Sequence, residues 1–286
     1  MYTEAKYNKA EEFLDKYGYD TAKVADGIKE SVKKETAKEE PKEQLVKSKQ
    51  RVKDAGEVFT PRWVVRDMLD LDEIKDMSFE LDTTFLEPAC GNGNFIIQIL
   101  VRKLMSVSAE AFDIDVARSV ASIYGVDIAE DNVKETRARM MNAIKHFYAD
   151  NGMELRREIE CSLWYILYRN IILGNTLEYK KYAENYSDAE LVESKSYTNE
   201  RIARRERNSE RGIAIVDTRA NDAAFGADDL TVSEWKFMED GVHRSEFRVA
   251  DMAHGQDAEA VTEYAVVCFE ELHNVKDIKL DPINYI

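Results

Sequence analysis

The segment Leu86 to Phe95, LEPACGNGNF, constrains the fold of this 286-residue chain more than any other stretch. A short apolar run ends at Glu87, and Gly91-Asn92-Gly93 then leads into a mostly apolar helical pattern from Phe95 to Leu104. Glycine accepts positive φ angles and lets a ligand approach the backbone, while a helix start offers unpaired N–H groups. The segment therefore predicts a strand, a ligand-binding turn and a helix in succession.

The next segments continue this alternation. A second strand is predicted at Ser122–Ile128 (SIYGVDI), and a long amphipathic helix follows from Asp131 to Tyr148. The apolar stretch Ser162–Leu173 leads into a third strand, NIILGN. Strands that alternate with helices are typical of a parallel sheet with crossover helices. We therefore expect an α/β fold, with a parallel sheet and flanking helices.

Composition divides the chain into three predicted regions: a charged helical N-terminal arm (1–54), a core (55–216) and an acidic C-terminal extension (217–286). In the arm, helical spacing predicts two helices joined near Gly18, and the arm is either a solvated helix or a docking element for a partner. Late in the chain we expect a strand at Gly212–Asp217 and a helix at Ala258–Asn274.

Charge and cysteine usage exclude several classes of protein. The net charge is −16, whereas a freestanding nucleic-acid binder normally carries a basic surplus. The three cysteines, Cys90, Cys161 and Cys268, lie far apart, which excludes a disulfide scaffold and gives no zinc-ligand spacing. The four histidines are also scattered without ligand spacing, so we expect no metal site. No apolar run reaches 18 residues, so we expect no membrane span and a cytoplasmic location.

The residues around the glycine turn indicate what it binds. A phosphate is the usual ligand of such a turn, but Glu87 precedes it and no Lys or Arg follows until Arg102. A carboxylate repels phosphate and attracts an ammonium group. S-adenosylmethionine carries an ammonium group on its methionine end, so it is the predicted cofactor.

Two polar residues at later strand ends fit the same ligand. Asp127 ends the second strand, where an acid can accept both ribose hydroxyls, and Ile128 would offer an apolar face to adenine. Asn175 ends the third strand and could bind an adenine edge. The alternatives are that Asp127 only caps the next element and that Asn175 is a simple turn residue.

The segment GEVFTP, Gly56–Pro61, precedes an amphipathic helical pattern from Trp63 to Leu71. Thr60 and Pro61 are typical of a helix N-cap followed by proline at the first helical position. This arrangement would place Thr60 over the cofactor site.

These four segments, GEVFTP, LEPACGNGNF, IYGVDIAEDNV and IILGNTL, resemble motifs X, I, II and III of the N6-adenine DNA methyltransferases of restriction-modification systems, in order and spacing. The resemblance implies a Rossmann-like core that binds S-adenosylmethionine. It assigns the methionine ammonium to Glu87, the ribose to Asp127 and the adenine amino group to Asn175. It also implies that Thr60 contacts the methionine end and that Ala89, Gly91 and Gly93 line the cofactor with their backbone.

The family's catalytic motif, an Asn-Pro-Pro-Tyr/Phe loop, has no counterpart, because the chain has no Pro-Pro pair. The chain resembles the short "subunit M" type proteins of split enzymes, in which a partner chain begins near that loop. We therefore expect no catalytic residue in this chain, a catalytic and target-recognition partner subunit, and contact with DNA through that partner. Residues 212–286 hold 16 acids and 6 bases, which fits a chain that leaves phosphate neutralisation to its partner.

Three alternatives remain open at this stage. The chain could be a non-catalytic methyltransferase-like sensor of S-adenosylmethionine. It could be an anti-restriction protein that mimics DNA, as its acidic end suggests. It could also methylate a small molecule or a protein with the same cofactor site.

Overall fold

The structure is a computed structural model that describes residues 2–19, 47, 57–181, 229–253 and 258–274. The chain forms two compact units, Met1–Ile172 and Leu173–Ile286. In the described residues, no helix combines the length and apolar character that a membrane crossing needs.

The first unit is built from helices that surround short strands. In chain order its elements are α1 (Glu4–Tyr17), α2 (Arg62–Leu69), α3 (Asp72–Ser78), β1 (Phe85–Glu87), α4 (Asn94–Leu104), α5 (Phe112–Ala121), β2 (Ile123–Asp127), α6 (Glu130–Asp150), α7 (Arg157–Asn170) and the start of β3 (Ile171–Asn175). The predicted strand, turn, helix and strand succession is confirmed from β1 through β3.

Strands β1 and β2 pair in parallel, with Phe85 opposite Ile123 and Glu87 opposite Gly125. The strand order of the sheet is β1-β2-β3-β4. Gly125 lies where β2 passes under α4, and a Cβ there would come within 2.6 Å of Ile96 Cδ1. The mixed α/β prediction, with a parallel strand pair and helices, is therefore confirmed.

Helix α4 is buried along nearly its whole length, so the two basic residues near its end bond to protein oxygens. Arg102 donates to Leu69 O at 2.9 Å and to Asp70 Oδ1 at 2.7 Å. Lys103 Nζ donates to backbone oxygens of the segment that leads into β1, including Thr83 O at 2.6 Å. These bonds give the buried cations the hydrogen bonds they need, and they hold the end of α2 and the segment before β1 against α4.

Helix α1 packs on the first unit through Ala10, Phe13 and Leu14, which are buried. Thr3 caps its N-terminus, and Gly18 ends it in the left-handed conformation at φ +62°. Its partner helix predicted beyond Gly18 lies outside the described residues.

The second unit contains the end of β3 and a three-stranded antiparallel sheet. Its elements are β4 (Lys180–Lys181), β5 (Thr231–Met238), β6 (Gly241–Arg248), α8 (Val249–Ala253), β7 (Thr262–Glu263) and a 3₁₀ helix (Phe269–Asn274). Strands β5 and β6 form a hairpin whose turn ends at Gly241, with φ +136°.

The predicted late helix Ala258–Asn274 is wrong. This segment forms β7, which pairs with β6, and becomes helical only at the 3₁₀ turn from Phe269. Val261, Thr262, Tyr264, Val266 and Val267 are β-branched or aromatic, and such residues favour extended backbone. The strand predicted at 212–217 lies outside the described residues.

Candidate functional site

The carboxyl ends of β1 and β2 lie side by side at one edge of the first unit. Glu87 is the last residue of β1 and pairs with Gly125, and Asp127 ends β2 two residues later. The backbone of Cys90, just beyond β1, donates to Val126 O at 2.9 Å. The structure therefore brings both predicted acids to the same edge, on either side of the turn that begins α4.

Two left-handed glycines shape this turn. Gly91 has φ +52° and Gly93 has φ +87°, a region that other residues rarely adopt. A Cβ on Gly91 would lie 3.1 Å from the Phe59 ring, and one on Gly93 would lie 2.8 Å from the Thr136 side chain. Both glycines are thus required by the backbone conformation and by close packing around the turn.

The Asp127 carboxylate joins the turn to the elements around it. Its Oδ2 accepts from Gly91 N at 2.8 Å, and its Oδ1 accepts from Ala129 N at 2.8 Å and Asn132 Nδ2 at 3.1 Å. Asp127 therefore makes the capping contact considered as an alternative. A carboxylate has about four lone-pair sites, so these bonds leave it capacity for a further donor.

Glu87 lies in a different environment from Asp127. Its side chain is half-buried, and its Oε1 accepts from Ala89 N at a long 3.4 Å. Burial raises the pKa of this carboxyl above its usual range, and the bond from Ala89 opposes that shift only in part. A half-buried carboxylate with weak internal hydrogen bonding is stabilised by a cation, which is the property that an ammonium site needs.

Thr60 lies beside the turn, held through its backbone. Thr60 O accepts from Asn94 Nδ2 at 2.9 Å, and the neighbouring Phe59 is buried against Gly91. The N-cap predicted for Thr60 is wrong, because Pro61 occupies that position and α2 begins at Arg62 without a side-chain cap. Pro61 has ψ 148°, which keeps it out of the helix.

The remaining predicted residues are distributed as follows. Ile128 is 58% exposed next to Asp127, and Ala89 is exposed in the turn. Asn175 ends β3 in the second unit, where its Oδ1 accepts from Leu177 N at 3.0 Å and Glu178 N at 3.3 Å. These are the contacts of a turn residue, the alternative considered for Asn175.

The sequence analysis did not identify the side chains that support the turn and Asp127 through hydrogen bonds. These residues are Asn94, Asn132, Thr136 and Arg139. Arg139 is the most informative of them, because the sequence analysis described this helix only as amphipathic and singled out neither of its arginines. Arg137 and Arg139 are two positions apart and project from nearly opposite sides of α6, yet each is only 2% exposed. Basic residues on opposite sides of a helix that packs on more than one neighbour are therefore the signal that the sequence offered.

Cys90 is buried in the turn. Burial raises the pKa of its thiol, and the nearby charges of Asp127 and Glu87 raise it further. The reactive form of cysteine is the thiolate, which these conditions disfavour. Among the residues that the structure describes, no cluster of His, Cys, Asp or Glu could hold a metal ion.

An apolar groove of about 170 Å³ lies beside β1 in the first unit. It is lined by Met68, Leu71, Ile74, Phe85, Leu86 and Phe95. Within the described ranges β1 is an outer strand of its sheet, and its central residue Leu86 is 47% exposed. Unpaired strand edges bind further strands readily, so this edge is suited to strand addition.

Comparison with protein families gave one match: residues 43–227 match the family model for N-6 DNA methylases. This range is more than half of the chain and contains the turn, both acids, Thr60 and Asn175. No curated protein and no solved structure matches the chain.

Proposed function

We propose that this chain, which belongs to the N-6 DNA methylase family, is the S-adenosylmethionine-binding subunit of a split adenine-specific DNA methyltransferase. Membership of the family supports DNA methyltransferase activity in general. The cofactor, the partner and a place in restriction-modification are the finer parts of the proposal.

The observation that carries the proposal is the position of Glu87 and Asp127 at one edge of a parallel strand pair, with the glycine turn between them. Ligands of open α/β sheets bind at the carboxyl ends of the strands. The weak hydrogen bonding of Glu87 suits an ammonium group, and the remaining capacity of Asp127 suits a ribose hydroxyl. The residues present therefore fit S-adenosylmethionine.

When bound, S-adenosylmethionine supplies a methyl group activated by its sulfonium centre. In the proposal Glu87 holds the methionine ammonium, Thr60 contacts the methionine end and Asp127 binds the ribose. The backbone of Ala89, Gly91 and Gly93 lines the cofactor. Ile128 and Asn175 serve the adenine, by contact and by hydrogen bonding respectively. The chain contributes binding and orientation, which can account for a large part of a rate enhancement.

The acceptor amine lies inside the DNA duplex and must be flipped out to react. The loop that binds such a flipped adenine in the family contains two adjacent prolines, and this chain has no pair of adjacent prolines. We infer that a partner subunit supplies that loop together with the DNA-binding groove. A net charge of −16 agrees with this division, because phosphate contacts need basic side chains.

The outer edge of β1 and its apolar groove support a docking position for a strand of the partner. Leu86→Lys places a charge on this edge, and we expect it to reduce activation by the partner without reducing cofactor binding. Val266→Lys, on a partly exposed valine of the second unit, is the control.

The decisive experiment measures transfer of labelled methyl groups to DNA by the chain with and without the product of a neighbouring gene that encodes an Asn-Pro-Pro-Tyr chain. We expect transfer only with both chains present. Calorimetry of the chain alone with S-adenosylmethionine tests the binding half separately. No binding by the chain, alone or in the complex, would contradict the proposal.

A non-catalytic sensor is the second candidate, and the missing Pro-Pro pair favours it. It predicts cofactor binding without methyl transfer, even when the partner is added. The DNA-mimic alternative rests on the acidic C-terminal quarter and predicts that the isolated chain inhibits a restriction enzyme.

A further inference from the structure

We propose that Arg139 is a positioning residue, which fixes the glycine turn and the Thr60 loop relative to each other and thereby shapes the methionine end of the cofactor site. This inference rests on the proposed binding of S-adenosylmethionine. It adds a residue on α6 that does not contact the cofactor but positions the two backbone segments that do.

The contacts of Arg139 connect three separate segments. Its guanidinium donates to Asn92 O inside the glycine turn, to Asn94 Oδ1 at 3.0 Å and to Tyr19 O at 3.4 Å. The side chain is 2% exposed. One rigid planar group therefore joins α6, the turn and the chain just after α1.

Asn94 extends this connection to Thr60. Its side-chain oxygen accepts from Arg139, while its Nδ2 donates to Thr60 O at 2.9 Å. Asn94 is itself buried at the first position of α4. The path from Arg139 through Asn94 to Thr60 thus consists of two direct hydrogen bonds, the first between buried side chains and the second to the half-buried Thr60.

Burying the charged guanidinium of Arg139 costs hydration free energy, so we infer that its hydrogen bonds to the turn have a structural role. Its hydrogen bonds go to neutral oxygens, and among the described residues no carboxylate bonded to the guanidinium offsets its loss of hydration. Burial lowers the pKa of the guanidinium, and the charge of Glu135 opposes this only partly. A hydrophobic residue would fill the same space at less cost but could not hold the turn.

Arg137 provides a matched comparison on the same helix. It is also 2% exposed, and its Nε donates to Ile171 O at 3.0 Å while its guanidinium lies over the Tyr168 ring. These bonds hold the start of β3, whereas the bonds of Arg139 reach the glycine turn. Variants of Arg137 and Arg139 can therefore be compared, to distinguish the effect of losing any buried arginine from the effect of losing support of the turn.

The first test compares Arg139→Lys with Arg137→Lys in the full chain, by calorimetry with two ligands. S-adenosylhomocysteine carries the amino-acid end, whereas 5′-methylthioadenosine has the same nucleoside without it. We expect Arg139→Lys to weaken S-adenosylhomocysteine binding about tenfold, an effect of roughly one hydrogen bond, and to leave methylthioadenosine within about twofold. Arg137→Lys should leave both affinities within about twofold.

The second test avoids changing a buried charge. Asn94→Ala removes the bond to Thr60 O, and Gln98→Ala removes a similar amide bond one turn later on α4, from Gln98 Nε2 to Arg62 O at 3.1 Å. We expect the Asn94 variant to show the same selective loss of S-adenosylhomocysteine affinity and the Gln98 variant to bind normally. If Arg139→Lys does not fold, this pair decides.

The outcomes separate the inference from the function on which it rests. A wild-type chain that binds neither ligand contradicts the proposed cofactor site. A wild-type chain that binds both, with Arg139→Lys or Asn94→Ala lowering both affinities equally or neither, overturns the positioning role. An equal loss would indicate only general destabilisation of the fold.

Discussion

Two buried arginines, Arg139 in the first unit and Arg244 in the second, are stabilised in different ways. In the second unit Arg244 lies on β6 beside Glu246, donates to Ser233 Oγ at 2.9 Å and has its guanidinium 4.0 Å from the Tyr264 ring centre. In the first unit Arg139 bonds neutral oxygens of three separate segments.

The two arginines have different structural roles, which follow from the positions of their partners. Arg244 and its partners belong to neighbouring strands of one sheet, so the charge is neutralised where it is buried. Arg139 connects segments that have no ladder between them and must hold a particular shape. The first arrangement stabilises a sheet, while the second preserves the geometry of a ligand-binding turn.

The largest effect should come from breaking the local pair in the second unit. Arg244→Met leaves Glu246 buried without its cation, so we expect about 3–5 kcal/mol loss of stability, measured by hydrogen exchange of the β5–β6 amides. The double variant Arg244→Met/Glu246→Leu should recover most of it. Equal stability of the single and double variants would show that the pair is not what stabilises this sheet.

The next effect concerns the turn itself. Gly93→Ala places a Cβ 2.8 Å from Thr136 at φ +87°, so we expect a cost of about 2–4 kcal/mol in urea unfolding. Gly152→Ala is the control, because Gly152 has φ +65° but no atom within 4 Å of the added Cβ. Equal costs for the two variants would mean that close packing behind the turn contributes nothing.

A smaller effect is expected at the ribose position. Asp127→Ala should weaken S-adenosylmethionine binding by about 1–3 kcal/mol in calorimetry, the range of one or two hydrogen bonds. Asp113→Ala is the control, since Asp113 bonds Tyr148 near the C-terminal end of α6 and Arg156 just before α7. Unchanged affinity in the Asp127 variant removes this residue from the site.

The smallest effect is a pH dependence set by Glu87. Because burial raises the pKa of Glu87, its carboxylate is protonated at a higher pH than an ordinary glutamate, and affinity for an ammonium ligand should fall on acidification from pH 7. The loss of affinity should begin at a higher pH than it would for an ordinary glutamate. Glu87→Gln should bind more weakly at pH 7 and lose this dependence in calorimetry.

Folding stability should respond to Glu87 in the opposite direction. A raised pKa means that the folded chain binds the proton more tightly than the unfolded chain does. The contribution of Glu87 to the free energy of unfolding therefore increases as pH falls from its folded pKa towards the ordinary value.

The binding prediction has its own contradicting outcome. If Glu87→Gln leaves the slope of affinity against pH unchanged, a group other than Glu87 controls the pH dependence of binding.

The sequence predicted the first unit well because its signals are local. The apolar runs at 85–87, 123–127 and 171–175 are strands, and the helices between them follow their 3.6-residue patterns. The carboxyl ends of parallel neighbours meet by geometry, so Glu87 and Asp127 could be brought together without coordinates.

The second unit was predicted less well, for a reason visible in its residues. The Asp240-Gly241 pair between alternating segments is a hairpin signal, but the many acids there suggested only an extension. Arg139 could not be placed because its acceptors, two backbone oxygens and the Asn94 side chain, lie far away in sequence, where no local pattern reveals them.

The burial of Cys90 gives the chain an internal reporter of turn opening. A thiol that is covered and protonated reacts with an alkylating reagent only when the segment around it separates from α6. The labelling rate of Cys90, measured by mass spectrometry together with that of exposed Cys268, therefore reports how often the native turn opens. A ligand that stabilises the turn should slow the labelling of Cys90 and leave the labelling of Cys268 unchanged.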